Sequence, residues 1–438
     1  MIYYIYSFLF ASLIVLTGPY WVWKYVSTAK YKGTVRQRFG LALPAFFLTN
    51  RKPVIWIHAV SVGETLAVRG VVEKLNLAFP EHAQVVSTVT KTGQQMAQEK
   101  LPGLAATFYL PLDLPWIVNR VIHRVNPQFF VVMETELWPN LFHALEKKQI
   151  PIITINGRLS PNSFKNYFRL RFFMKTFLQP VHLFAMQSSK DAERMAQIGG
   201  DREIIVSTGN LKYDQALKIP GQAEMALLHK RLPPPTDPVW IAASTHPGEE
   251  QRILAVFRRL REEIPTLRLI LAPRHPERSQ EVVSLIRNEG LSICRVSHLP
   301  DPEKSASLQP WLESVLLVDQ VGWLTRLYGY AQVAFIGGSL IPHGGQNMLE
   351  AAAWSIPTLF GPYTFNFKEA TQQILESGGG MVINNEQELF NALNELLASK
   401  EKRLLMGEKA QRVVAENAGA LERTIAVIQG TILGNPLS

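Results

Sequence analysis

Val54-Ile-Trp-Ile-His58 runs straight into Ala59-Val-Ser-Val-Gly-Glu-Thr65, and a helical pattern opens at Leu66. An apolar run of strand formers without polar alternation reads as a strand buried on both faces. A strand that ends in a small-residue turn and passes into a helix is the opening half of a βαβ unit. Ligands of open α/β sheets sit at the carboxyl ends of strands, so the turn ending in Gly63-Glu64 lies where chemistry is expected.

The same alternation continues downstream. Strands are expected at Val54–Ala59, Gln84–Val89, Thr107–Leu110, Phe129–Met133, Ile152–Asn156, Leu183–Met186 and Ile204–Ser207, with amphipathic stretches between them. The segment 218–238 breaks the pattern. Its Leu232-Pro-Pro-Pro-Thr-Asp-Pro238 suits neither a helix interior nor a central strand, so it reads as a linker. A second series follows at Val239–Ala243, Leu267–Ala272, Val315–Val318, Val333–Gly337, Thr358–Phe360 and Met381–Ile383, and the last 55 or so residues carry a helical pattern alone. The expected fold is α/β: two doubly wound, Rossmann-like domains facing a cleft, as in the glycosyltransferase-B architecture. The first domain would run over 24–217; the second would run over 239–438, terminal helices included. Architecture alone does not assign an activity.

Residues 1–23 contain no charged side chain. At 1.5 Å per residue such a helix spans the roughly 30 Å of a bilayer core. Tyr20, Trp21 and Trp23 stand at its downstream end, where aromatic rings favour headgroups, and Lys24, Lys30, Lys32, Arg36 and Arg38 follow before any acidic residue. The stretch reads as a membrane-anchor helix, with the remaining chain on the cytoplasmic side. A signal peptide would call for a charged start and a small-residue cleavage site. Pro19 also admits a helix lying in the interface.

The 438 residues carry a net charge of +9, which favours an anionic partner. No RNP, zinc-finger or helix-turn-helix pattern accompanies the charge, so no nucleic-acid partner is expected. The single cysteine, Cys294, permits no internal disulfide.

Several polar stretches fall at strand ends. Met133-Glu-Thr-Glu-Leu-Trp-Pro-Asn140 places Glu134 and Glu136 after one strand; Asn156-Gly-Arg-Leu-Ser-Pro-Asn162 and Gly209-Asn-Leu-Lys-Tyr-Asp214 follow two others. Each has an ordinary alternative: Glu64 and one of the glutamates as first-turn helix residues, Lys212 as a solvated surface residue. In the second half, Ser244-Thr-His-Pro-Gly-Glu-Glu250 and Ala272-Pro-Arg-His-Pro-Glu-Arg278 are strand-to-helix loops of the kind that bind phosphate. Phe335-Ile-Gly-Gly-Ser-Leu-Ile-Pro-His-Gly-Gly-Gln-Asn-Met-Leu-Glu350 brings two glycine pairs and then Asn347 and Glu350 on one helix face. No Asp-x-Asp pair occurs and no histidines stand at metal-ligand spacing, so neither a metal nor another cofactor is expected. Asn162–Gln179 interleaves Lys165, Arg169, Arg171 and Lys175 with six aromatic residues, which reads as a basic amphipathic helix at a membrane surface.

Along nearly its whole length the chain resembles the Kdo (3-deoxy-D-manno-oct-2-ulosonic acid) transferases of lipopolysaccharide synthesis. The resemblance is carried by His58–Thr65, Met133–Asn140, Gly209–Asp214, Ser244–Glu250, Ala272–Arg278 and Gly337–Ala370, in that order. It implies an inverting, metal-independent transfer of Kdo from CMP-Kdo to a lipid A precursor, lipid IVA. It implies Glu64 as general base, Glu134 and Lys212 as stabilisers of the transition state, and contacts to CMP from Pro273, Arg274, Val321, Gly322, Trp323, Asn347, Met348, Leu349 and Glu350. Where the family often has Met-Gly-Glu, this chain has Val321-Gly-Trp323. A tryptophan lacks the carboxylate's acceptors, so backbone contacts would carry that loop. The alternatives are a nucleotide-sugar epimerase on the same architecture, which has no use for residues 1–38, and a non-catalytic protein binding anionic lipid, which has no use for Glu64, Arg274 and the Asn347–Glu350 pair.

Overall fold

The computed structural model of the chain describes residues 1–27, 34–299 and 314–434, apart from a few side chains near the end of the first helix. Lys30, Lys32 and the side chain of Trp21 lie outside the described residues.

Two compact units divide the chain: Met1–Gln215 together with Ala418–Ser438, and Ala216–Asn417. The first holds β1 (Val54–His58), β2 (Ala83–Thr88), β3 (Leu104–Tyr109), β4 (Pro127–Met133), β5 (Ile152–Gly157), β6 (Leu183–Met186) and β7 (Ile205–Ser207). Its sheet is parallel, in the order β3-β2-β1-β4-β5-β6-β7. Along β1, Val54 and Trp56 enter one apolar core while Ile55 and Ile57 enter another. Helices therefore cover both faces, which is why the strand shows no polar alternation.

The second unit holds β8 (Val239–Thr245), β9 (Arg268–Pro273), β10 (Ile293–Arg295), β11 (Val315–Leu317), β12 (Val333–Ile336), β13 (Thr358–Phe360) and β14 (Gly380–Val382). The order is β10-β11-β9-β8-β12-β13-β14, again parallel throughout. In each sheet the order reverses beside one strand, at the β1/β4 and β8/β12 pairs. Loops leaving such a pair diverge to opposite faces and leave room for a ligand.

Three features depart from the expected organisation. The segment read as a linker contains the helix Gln222–Arg231 and belongs to the second unit: Glu224 pairs with Arg326, and Tyr330 donates to the Leu232 carbonyl at 2.6 Å. The final helix, Ala420–Leu433, belongs to the first unit and not to the 239–438 domain. Its Ala420, Ile425 and Ile428 join the core that holds Ile55 and Ile57, and the Asp214 carboxylate accepts from Gly419 N (2.7 Å) and Leu421 N (3.0 Å) at its N-terminus. Asn162–Gln179 is two helices, Pro161–Arg169 and Arg171–Leu178, which meet at Leu170.

The first helix, Ile2–Ser27, is continuous through Pro19. Its Ile2–Tyr20 portion has a mean hydropathy of 1.6, and that stretch is long and apolar enough to cross a membrane.

Because Asp214 alone caps the returning helix with two charge-assisted bonds, Asp214→Ala is expected to destabilise the first unit by about 1–2 kcal/mol. The check is the urea midpoint of tryptophan fluorescence, and an unchanged midpoint would contradict this capping role.

Candidate functional site

Glu64 stands in the first turn of the helix Val62–Ala67, with Ser61 as N-cap. Ser61 Oγ accepts from Glu64 N at 3.4 Å. The Glu64 carboxylate in turn accepts from Ser61 Oγ at 2.8 Å and from Val60 N at 2.8 Å. This is a capping-box arrangement, so the helix-cap reading of Glu64 holds. It does not exhaust the residue. Each carboxylate oxygen takes a single protein donor, which leaves lone pairs open on both. Burial and then the Glu134 carboxylate push the pKa of Glu64 from 4.5 up to about 7, with Glu136 adding to the rise. A cap has no need of two further carboxylates beside it. His58, by contrast, is buried, bonded through Nδ1 to the Ser87 carbonyl at 3.0 Å, and held neutral with a pKa of about 4.

Glu134 begins the loop after β4 with φ 56°, and Asn156 near the end of β5 has φ 52°. Left-handed backbone at a non-glycine residue costs roughly 1–3 kcal/mol and recurs at functional sites. Three bonds hold the strand ends together. Thr135 Oγ1 pairs with the Arg158 carbonyl and accepts from Arg158 N at 3.1 Å; Asn156 Oδ1 accepts from Leu211 N at 3.1 Å. These contacts bring Glu64, Glu134, Glu136, Arg158 and Lys212 into one electrostatic cluster. Burial lowers the pKa of Lys212, while Glu134 and Glu64 oppose that shift and Arg158 adds to it. Glu136 is raised by burial and by Glu134. Arg158 and Thr135 were not singled out in the sequence, because their placement depends on the β4/β5 pairing.

The second unit repeats the device with a different result. Glu249 follows Gly248 after β8, as Glu64 follows Gly63 after β1. Its fully buried carboxylate accepts from His246 N (3.0 Å), Gly338 N (2.7 Å), Ser339 N (3.0 Å) and Leu340 N (3.0 Å). Four donors saturate it, so Glu249 fastens the loop after β12 to the loop after β8. Gly337 permits the close approach: a Cβ there would lie 2.6 Å from the Ser244 carbonyl oxygen. The repeated Gly-Glu after the first strand of each half was the available signal for Glu249.

Around this fastening the loop ends converge. Arg274 N donates to the Thr245 carbonyl at 2.9 Å, and the Arg274 side chain is exposed. The His246 ring stacks on His343 at 4.6 Å and meets His275 edge-on at 5.8 Å. Burial first, then these histidines, Arg274 and Arg278 lower the His246 pKa to about 4. Asn347 Nδ2 donates to Glu350 Oε1 at 3.0 Å, and burial raises the pKa of Glu350 against the pull of Asn347, Thr325 and Arg274. The side chains of Pro273, Met348 and Leu349 are buried, so only their backbone is available to a ligand. Val321 and Gly322 are exposed. Trp323 turns inward, 7% exposed, with the Arg231 guanidinium 5.0 Å from its ring centroid. Its side chain therefore packs in the structure instead of standing in the loop. Among the described residues, no group of three or more His, Cys, Asp or Glu is placed to hold a metal ion.

Residues 33–215 match the family model described as 3-deoxy-D-manno-octulosonic-acid transferase (kdotransferase). The chain is 36% identical over 408 residues to the 3-deoxy-D-manno-octulosonic acid transferase of Haemophilus influenzae, which covers 92% of each protein. It is 30% identical over 419 residues to the enzyme of that name from Chlamydophila psittaci, covering 95% of this chain and 93% of the relative. Among solved structures, a UDP-GlcNAc 2-epimerase from Neisseria meningitidis superposes with a TM-score of 0.58 over 87% of this chain and all of its own, at 14% identity, and so shares the fold. With an identity of that size over nine-tenths of both sequences, the chain belongs to the 3-deoxy-D-manno-octulosonic acid transferase family, and is a glycosyltransferase.

Proposed function

We propose that this enzyme transfers Kdo from CMP-Kdo to a lipid A precursor, lipid IVA, with inversion and without a metal, at the cytoplasmic face of the inner membrane. The observation that carries the reading is the Glu64 carboxylate. Two donors fix its orientation, its lone pairs are open, and its pKa near 7 suits a general base.

An acceptor hydroxyl attacks the anomeric carbon of Kdo, and its proton passes to Glu64. The bond from that carbon to the CMP phosphate oxygen breaks, and CMP leaves with the electron pair. Positive charge that gathers at the anomeric carbon is opposed by Glu134, and the negative charge of the transfer is met by Lys212. On the second unit, Arg274 and the loops fastened by Glu249 hold the anionic donor, while Asn347 and Glu350 read its nucleoside hydroxyls or base. No nucleic acid and no resident cofactor take part.

Glu64→Gln separates the base from the cap, because glutamine also serves at this position of a capping box. Turnover should fall about 10²-fold or more with CMP-Kdo binding retained. In the parent, kcat should rise with pH through about 7 as Glu64 loses its proton. Near-parental turnover in the folded variant would remove Glu64 from the chemistry.

The same group should mark stability. Its folded pKa lies above the ordinary value of 4.5, so the folded state holds the proton more tightly. That contribution is present below about pH 4.5 and is lost as the pH rises through about 7. Glu64→Gln cannot ionise, so its urea midpoint should gain on the parent's between pH 5 and pH 8. A difference that does not change with pH would show that Glu64 titrates normally.

A further inference from the structure

The first helix meets the body of its own unit at its very beginning. The Tyr3 ring stacks on His143 at 3.9 Å, and the Tyr3 hydroxyl donates to the Thr176 carbonyl at 3.0 Å. Ser7 Oγ lies 3.0 Å from Asn140 Oδ1. Tyr6 meets Phe177 edge-on at 5.8 Å, and its hydroxyl bonds to the buried Asp113 carboxylate. That carboxylate also accepts from Asn140 N (3.0 Å) and Leu141 N (2.8 Å), capping the helix Pro139–Lys147. Positions 3, 6 and 7 share one side of a helix, so a single stripe is docked.

Beyond the helix, the next described residues belong to the same unit. Ser27 closes the helix, and by Thr34, buried, the chain is packed again. Leu112 N donates to the Arg38 carbonyl at 2.9 Å, and Gln37 Oε1 accepts from Tyr109 N at 3.2 Å. A helix crossing the bilayer would carry Tyr3 roughly 30 Å from Trp23, to the far side of the hydrocarbon core. There it could not touch Thr176, Asn140 and Asp113, whose polar groups and charged neighbours, Glu146, Lys147 and Lys148, belong in water.

The rest of the helix has an apolar face without a protein partner: Tyr4, Phe8, Leu9, Leu13 and Leu16 are each more than half exposed. Beside the docked turns, the helix Arg171–Leu178 exposes Phe172 (80%) and Phe173. The exposed Arg169, Arg171 and Lys175 flank those rings, with the Arg171 guanidinium 4.7 Å from the Phe168 ring centroid. Apolar side chains rimmed by basic ones fit the headgroup–acyl boundary of an anionic leaflet.

We propose that the first helix does not cross the membrane: it lies along the surface of an anionic leaflet, pinned through Tyr3, Tyr6 and Ser7, and forms one lipid-docking face with Phe172, Phe173 and their basic neighbours. This rests on the reading of the enzyme as membrane-associated. The docked turns fix the height of the first unit above the lipid, so the Glu64 side of that unit takes its acceptor from the leaflet on which the enzyme sits.

The test uses the full chain with Cys294→Ser and Ile2→Cys, expressed in a Gram-negative cell and made into spheroplasts. A membrane-impermeant maleimide should leave Cys at position 2 unmodified in intact spheroplasts and modify it once detergent opens the membrane. Modification from outside overturns the proposal in favour of a crossing helix. In a parallel chain carrying Ser7→Cys and Asn140→Cys, a short bismaleimide should join the two positions in membranes, and failure to join them also overturns it. Fractionation of the same cells separates the premise: recovery in the soluble fraction would overturn membrane association itself.

Discussion

One carboxylate at the reversal point of each sheet is what the site depends on. Parallel strands leave their carboxyl ends along one edge, and the loops there carry backbone N–H groups that no neighbouring strand satisfies. After β1 and after β8 the chain meets this need in a similar way, with a Gly-Glu pair at the start of the following helix, Glu64 in its first turn and Glu249 at its N-cap, whose carboxylate hooks back onto the loop. The two outcomes differ by the number of donors. Glu249 takes four and has no lone pair to offer chemistry; Glu64 takes two and keeps its remaining acceptors beside Glu134 and Lys212. One fold device thus yields a saturated fastening in the second unit and, in the first, a carboxylate with acceptors to spare, as the proposed base requires.

The surrounding charge is arranged by the same economy of contacts. Glu134 occupies left-handed backbone next to the Thr135–Arg158 bonds, and its carboxylate lies close enough to Glu64 to raise the pKa of that residue. Burial and then the neighbouring Glu134 carboxylate raise the pKa of Glu64 to about 7. In the second unit Arg274 and three histidines, of which His246 is lowered by burial first and then by its neighbours, surround the loops that Glu249 draws together.

Of the fourteen strands among the described residues, thirteen were legible in the sequence, because runs such as Val54–His58 and Val239–Ala243 are buried on both faces and stand out as unbroken β-formers. Ile293–Arg295 was not: it has three residues, lies at the sheet edge, and none of the three is fully buried. The break at Leu170 was hidden because both helices keep the same mixture of basic and aromatic residues. The return of Ala420–Leu433 to the first unit depends on Asp214, some two hundred residues upstream, and a helical pattern says nothing about which sheet it will cover. Glu64, Glu134, Lys212, Arg274, Asn347 and Glu350 were singled out from strand-end position and family resemblance. The fastening by Glu249 was not, since its donors at Gly338–Leu340 are about ninety residues away. Trp323 was placed with the donor contacts, yet it is large and apolar enough to fold inward against Arg231.

The central claim is that the charge of the leaving nucleotide is met by protein cations while a carboxylate takes the acceptor's proton. The most direct measurement is mass spectrometry of the lipid after the purified enzyme is incubated with CMP-Kdo and a tetraacylated lipid A precursor in excess chelator. The account predicts lipid that has gained Kdo, with CMP released in equal amount. Unchanged lipid in chelator, with transfer restored by Mg²⁺, would contradict it.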